Sequence, residues 1–210
     1  MDYATDEERV EELKKWWKEN GKSVILGVAL GLSVLFGWRW WGDYQETQAI
    51  NASALYSQLE LAIQDKKAEQ AEAFADEVFK KHENSHYAIY SALSLAKMEV
   101  DNKNLQAAQT HLQWAYDHAG DDELKQLAGL RLARVILAIG ETDKAYAIVN
   151  STSSGKFAAL YLELKGDILL KKDDQDGALL AYQKATQLLP AGSRINPALQ
   201  FKIDDLAKVQ

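Results

Sequence analysis

The stretch Gly166–Pro190, GDILLKKDDQDGALLAYQKATQLLP, decides the fold. Apolar residues recur at helical spacing on both sides of an acidic break, Asp173-Asp174-Gln175-Asp176-Gly177. One small residue stands in each segment, Gly166 in the first and Ala178 twelve positions later in the second. Two antiparallel helices approach closely where neither presents a large side chain at the crossing. Tyr182 and Ala185 continue the second segment, and Pro190, which cannot continue a helix, closes it. The acidic break reads as the tight turn of a helical hairpin. A calcium loop needs glycine at its sixth position, and this run does not supply one.

The same pair of small residues recurs upstream. Ala96 with Ala108 and Ala133 with Ala145 repeat the twelve-residue offset, and Ala96, Ala133 and Gly166 stand 37 and 33 residues apart. A period near 34 with small residues at these two places is the signature of the tetratricopeptide repeat. The third unit fits it best, the first two more loosely, and residues 49–81 show only a plausible hairpin. Helical periodicity and turn residues predict helices over 46–64, 67–81, 86–101, 104–119, 122–139, 142–150, 156–171, 175–189 and 195–208. Pro197 to Lys208 suits the capping helix that such arrays require. The expected fold is all-α: an N-terminal single transmembrane helix followed by a tetratricopeptide-like α-solenoid.

Composition agrees. Two prolines in 210 residues leave long helices unbroken, and the absence of cysteine excludes disulfides, thiol catalysis and cysteine-ligated metals. The formal net charge of -7 repels phosphates, and no basic stripe offsets it, which argues against nucleic acid as a partner.

Residues Ser23–Trp38, SVILGVALGLSVLFGW, carry no charge. About 20 helical residues cross a hydrocarbon core of about 30 Å. The run reaches that length if Arg39 snorkels to the interface. Trp16 and Trp17 before the span, and Trp38, Trp40 and Trp41 at its end, fall where aromatic belts sit. Arg9, Lys14, Lys15, Lys18 and Lys22 precede the span, and after Arg39 no Lys or Arg follows until Lys66. The positive-inside rule then keeps the N-terminus in the cytoplasm and translocates the remainder. The expected organisation is a cytoplasmic amphipathic segment 1–22, a membrane helix 23–42 and a periplasmic domain 43–210. Bulky WRWWGDYQ after the apolar run disfavours a cleaved signal peptide. Ser23, Gly27 and Gly31 recur every four positions, a stripe that lets helix backbones pack in a membrane. Thr5 and Glu8 have capping-box spacing, and Asn20-Gly21 reads as a helix stop. Between them Val10, Leu13, Trp16 and Trp17 share a face that suits either the membrane surface or a cytosolic partner.

The string His82-Glu83-Asn84-Ser85-His86 matches HExxH. Zinc-protease chemistry needs both histidines on one uninterrupted helix, with the glutamate activating metal-bound water. Asn84-Ser85 marks a break instead, with His82 suited to a helix C-terminus and Ser85 to an N-cap. His111 and His118 share a face near Trp114 and suit an inter-helix or surface role. No phosphate-binding glycine loop or GxSxG is present, so no catalytic, cofactor or metal residues are expected.

The run VEELKKWWKENGKSVILGVALGLSVLFGWRWW (Val10–Trp41), the string LRLARV (Leu130–Val135) and the tail NPALQFKIDDL (Asn196–Leu206) resemble the YfgM family of Gram-negative inner-membrane proteins, the ancillary subunits of the SecYEG translocon. The resemblance spans nearly the whole chain. It implies a non-enzymatic, single-pass protein beside the Sec channel, whose periplasmic repeats receive unfolded secretory polypeptides and pass them to the chaperone network. It further implies partnership with the membrane-anchored chaperone PpiD and a link to a cytosolic stress-response regulator at the N-terminal segment. An envelope or cell-division scaffold built on the same repeats is the alternative.

Stacked hairpins form a concave surface lined mostly by the first helix of each pair. Exposed residues of 86–101, 122–139 and 156–171 are therefore the expected partner-binding set, with Tyr87, Tyr90, Lys97, Arg131, Arg134, Tyr161 and Lys165 as candidates.

Overall fold

The computed structural model describes residues 6–151, 155–189 and 197–207. Thr5, Pro190, Asn196 and Lys208 lie outside the described residues. The elements are α1 (Asp6–Gln64), α2 (Ala68–Lys81), α3 (His86–Asp101), α4 (Leu105–His118), α5 (Asp122–Ile139), α6 (Thr142–Asn150), α7 (Ala158–Lys171), α8 (Gln175–Gln187) and α9 (Pro197–Ala207). The chain divides into two compact units, 1–50 and 51–210.

In the first unit the expected stop at Asn20-Gly21 is absent, and α1 runs through it. The Asn20 side-chain amide donates to the Trp16 carbonyl one turn back (3.1 Å) rather than ending the helix. Gly21 is buried beneath the Trp17 indole, where a β-carbon would lie 3.2 Å from the ring. Nor does a break precede residue 46, because α1 continues to Gln64. Ile25, Leu26, Val28, Leu30, Val34, Leu35 and Phe36 are all exposed. A soluble core helix hides such side chains; this one is long and apolar enough to cross a membrane and keeps almost none of its apolar window buried. Ser23 is exposed, and β-carbons at Gly27 and Gly31 would meet open space. Trp40 stacks on Tyr44 (centroids 6.0 Å apart), with Trp41 beside the same ring.

The second unit is a run of antiparallel hairpins. Helix α3 pairs with α4, α5 with α6 and α7 with α8, and α9 packs on α8; residues 51–64 join α2 through the buried cluster of Leu59, Ala62, Ala71 and Ala75. All four intra-hairpin turns use one device. A residue with positive φ ends the first helix: Lys66 (59°), Lys103 (64°), Gly140 (102°) and Asp173 (59°). The amide of the next residue donates to the carbonyl five positions back. The pairs are Lys67 to Ala62, Asn104 to Glu99, Glu141 to Ile136 and Asp174 to Leu169, at 2.8–3.1 Å. Together with the shorter bonds Lys66 to Ile63, Lys103 to Val100, Gly140 to Leu137 and Asp173 to Leu170, this is a Schellman turn built four times. The four residues fall 37, 37 and 33 apart, which sets the register of the array. Asn104 and Asp174 then cap the following helices, accepting from Ala107 N and Gly177 N, and Asp121 and Ser85 cap α5 and α3.

The turns show that 51–81 is a full repeat. Leu59 and Ala71, both fully buried, occupy the places held by Ala96 and Ala108 in the next unit. A leucine stands where the later units have small residues, which is why the sequence shows this pair only as a hairpin. Ala96, Ala108, Ala133, Ala145, Gly166 and Ala178 are all buried. The core surrounding them includes Leu59, Leu95, Leu130, Leu132 and Ile168, whose burial stabilises the fold by about 1.5–3 kcal/mol each. The end of the array closes on Leu199 and Leu206 of α9, packed with Tyr182, Ala181 and Leu169.

Candidate functional site

The first helices of the hairpins carry two neighbouring features. The first is aromatic. Tyr56, Tyr87 and Tyr90 form a triangle with centroids 5.9, 6.1 and 6.0 Å apart. Tyr87 is half-buried and Tyr90 exposed. The Tyr56 hydroxyl lies 3.5 Å from Ser94 Oγ, and burial pushes its pKa up, a shift the Ser94 contact opposes and Glu60 reinforces. Tyr56 carries no repeat signal in the sequence, because Leu59 rather than a small residue fills the crossing position of its hairpin.

The second is an apolar cavity of about 310 Å³ between α3 and α5, lined by Leu93, Ala96, Lys97, Val100, Leu112, Arg131, Arg134 and Val135. Three of the predicted residues, Lys97, Arg131 and Arg134, thus share one rim, and all three are exposed. Lys97 has one exposed carboxylate partner, Asp101, at 3.2 Å. Among the described residues neither guanidinium has an ion-pair partner. The spacing of the repeats makes Lys97, Arg134 and Asp167 equivalent positions in three successive units.

At Asp167 the charge is answered within the chain. Lys202 of α9 lies 2.7 Å from Asp167 Oδ1 and 2.9 Å from Glu163 Oε1, and the Tyr182 hydroxyl donates to Asp167 (2.7 Å). Burial alone lowers the Lys202 pKa, but the bonds to Asp167 and Glu163 outweigh it and the net shift is upward. Tyr182 is fully buried; burial first, then Asp167, pushes its pKa far above the usual phenol range.

Two candidates do not belong to this surface. Tyr161 is 1% exposed, and its hydroxyl donates to the Gln126 carbonyl (2.8 Å), so it is a packing residue between α7 and α5. Its ring occupies space that glycine leaves free, since a β-carbon on Gly129 would stand 2.6 Å from the Tyr161 hydroxyl. Lys165 is half-buried; it donates to Asn150 Oδ1 (2.8 Å) and lies over the Tyr146 ring, facing the end of α6.

The histidines have structural surroundings. His82 follows α2 and Ser85 precedes α3, so the HExxH string spans two helices. His118 stacks on Trp114 (4.2 Å), donates from Nδ1 to the Trp114 carbonyl and places Nε2 3.4 Å from Glu83. His111 borders a groove with Glu69, Glu72, Asp76, Phe79 and Leu95. Burial lowers its pKa, against the pull of Glu99, Glu72 and Asp76. No cluster of three or more His, Cys, Asp or Glu with metal-binding geometry occurs among the described residues.

An array of hairpins in fixed register, with an open face and an apolar groove on it, defines the tetratricopeptide class of binding solenoids. The family model for the tetratricopeptide repeat-like domain matches residues 14–208. Curated relatives named "Ancillary SecYEG translocon subunit" are 32% identical over 209 residues in both Haemophilus influenzae and Escherichia coli. The alignments cover 98% of this chain and 100% and 98% of those proteins. One from Neisseria gonorrhoeae is 27% identical over 206 residues, 97% of this chain and 98% of that protein. The chain belongs to this tetratricopeptide repeat-like family of ancillary SecYEG translocon subunits. Solved structures give the fold alone. A tetratricopeptide repeat protein from Parabacteroides merdae has a TM-score of 0.51 at 19% identity, covering 74% of this chain and 57% of that one. A tetratricopeptide repeat protein from Thermus thermophilus has a TM-score of 0.50 at 16% identity, covering 75% and 81%.

Proposed function

We propose that the protein is a non-enzymatic accessory of the Sec translocon in the bacterial inner membrane. The observation that carries this is the near full-length similarity to proteins named for that role, joined to an exposed apolar groove on a binding-type solenoid. In this reading residues 1–22 stay in the cytoplasm, 23–42 cross the membrane, and 43–210 form the periplasmic domain, in the orientation set by the lysines before the span. The Ser23, Gly27 and Gly31 stripe packs against another membrane helix. Trp16, Trp17, Trp38, Arg39, Trp40 and Trp41 hold the span at the two interfaces. The groove rimmed by Lys97, Arg131 and Arg134, with the Tyr56, Tyr87 and Tyr90 triangle, receives segments of emerging polypeptide. From there clients pass to periplasmic chaperones, with PpiD as the membrane-anchored partner, and the N-terminal segment meets the cytosolic regulator.

Photo-crosslinkers placed singly at residues 24–38 and at Val100 and Val135, in cells, test this. Adducts with SecYEG from the span, and with secretory chains from the groove, are expected. A set of adducts confined to division or cell-wall proteins overturns it in favour of a scaffold.

A further inference from the structure

Like charges crowd the groove at one place along the solenoid, whereas at its end opposite charges meet. On α7 the carboxylates of Glu163 and Asp167 meet the Lys202 amine of α9. At the equivalent place two repeats earlier, Lys97 on α3 faces Arg131 and Arg134 on α5 across the mouth of one cavity. Asp101 offers Lys97 a single, solvated partner, and such exposed pairs stabilise little. Juxtaposed cations raise the energy of the unoccupied groove, in a chain whose overall charge is -7. The floor between them is apolar, formed by residues such as Leu93, Val100 and Val135.

We propose that this groove selects polypeptide segments in which an apolar side chain is flanked by carboxylates. This rests on the reading that the groove receives polypeptide and adds its selectivity. The apolar anchor enters the cavity and leaves water. The flanking carboxylates take the place that Glu163 and Asp167 hold towards Lys202, and remove the repulsion among Lys97, Arg131 and Arg134. Basic segments, which share the same apolar anchor, are turned away by the same rim.

The test uses the full-length protein in nanodiscs of zwitterionic lipid and three labelled twelve-residue peptides. The peptides share one leucine-phenylalanine anchor, with flanks of Glu/Asp, Gln/Ser or Lys. Fluorescence anisotropy at low salt is expected to show the acidic peptide binding roughly tenfold more tightly than the basic one, with the neutral peptide between. Added salt narrows the gap. Arg131→Gln with Arg134→Gln, both at exposed positions, narrows the spread among the three affinities. Equal binding of all three peptides to the unaltered protein overturns the selectivity and leaves the groove reading standing. Binding of no peptide, together with no peptide crosslinks from Val135, overturns both. Displacement of the acidic peptide by anionic-lipid vesicles, with a rim-dependent vesicle affinity above that of the peptide, assigns the rim to a lipid surface and overturns the proposal.

Discussion

The ring of Tyr182 lies directly against the backbone of Gly166, so close that no β-carbon fits between them. The contact joins α7 to α8 and positions the phenol to donate to Asp167, the neighbour of that glycine. Gly166→Ala forces the ring out of its site and breaks the hydrogen bond. The expected cost is roughly 1–3 kcal/mol of stability, read as a lower urea midpoint at unchanged slope. A midpoint equal to wild type would show that the Tyr182 ring moves aside without cost.

The four Schellman turns differ in how well their residues tolerate positive φ. Lys66, Lys103 and Asp173 carry side chains there, at a cost of about 1–2 kcal/mol each relative to glycine in the same conformation. Lys103→Gly should therefore stabilise the domain by about 0.5–1 kcal/mol, the gain being reduced by the greater freedom of glycine in the unfolded chain. Gly140→Ala should destabilise it by about 1–2 kcal/mol although space for the methyl group is open. Thermal melts of the two variants should move in opposite directions.

Lys202 and Tyr182 both have folded-state pKa values above their ordinary ones of 10.5 and 10.0. In each case the native state holds its proton more tightly than the unfolded chain does. Their contribution is then complete below about pH 10 and declines as pH rises from there. Alkaline titration of stability should show this loss in the wild type and a shallower one in Lys202→Met. The same variant loses hydrogen bonds to two carboxylates, an expected cost of about 1.5–3 kcal/mol at neutral pH.

His111 works in the other direction. Burial holds its pKa below the ordinary 6.5, so the unfolded chain takes up the proton first as the solution is acidified. Its contribution is present above about pH 6.5 and is lost as pH falls through the folded value. Glu72, Asp76 and Glu99 oppose that shift, and charge-neutral variants of them enlarge the acid loss. Histidine chemical shifts followed by NMR, beside melts from pH 8 to 5, provide the check; His111→Gln should flatten the acid limb.

Much of this fold is written in short-range signals. His86–Asp101, Asp122–Ile139 and Thr142–Asn150 begin and end where periodicity, caps and turn residues place them. The small-residue offset located three hairpins, because packing at the crossing leaves room for little else. The first repeat was hidden because Leu59 fills its crossing position, and only the backbone of the Lys66 turn identifies it. Asn20-Gly21 does not end the helix because a stop depends on the conformation glycine adopts, and Trp17 covers Gly21 in the helical one. The candidate surface was half legible. Lys97, Arg131 and Arg134 gather on one cavity as long charged residues of the first helices should. Tyr161 turned inward because its hydroxyl finds a backbone acceptor, the Gln126 carbonyl, which lies 35 residues away and has no local trace in sequence.

The repeated turn has a consequence for how the chain reaches its final form. Each hairpin closes on residues that lie within about one repeat of each other, and no strand must wait for a distant partner. Such local topologies fold rapidly. An array of this kind can build outward from whichever end is presented first, each new hairpin settling on the one already formed. Only at the far end does the order matter: the Glu163 and Asp167 carboxylates lack their cation until Lys202 arrives with α9. The last helix is therefore a latch, and a chain cut short before it would leave its final hairpin ajar.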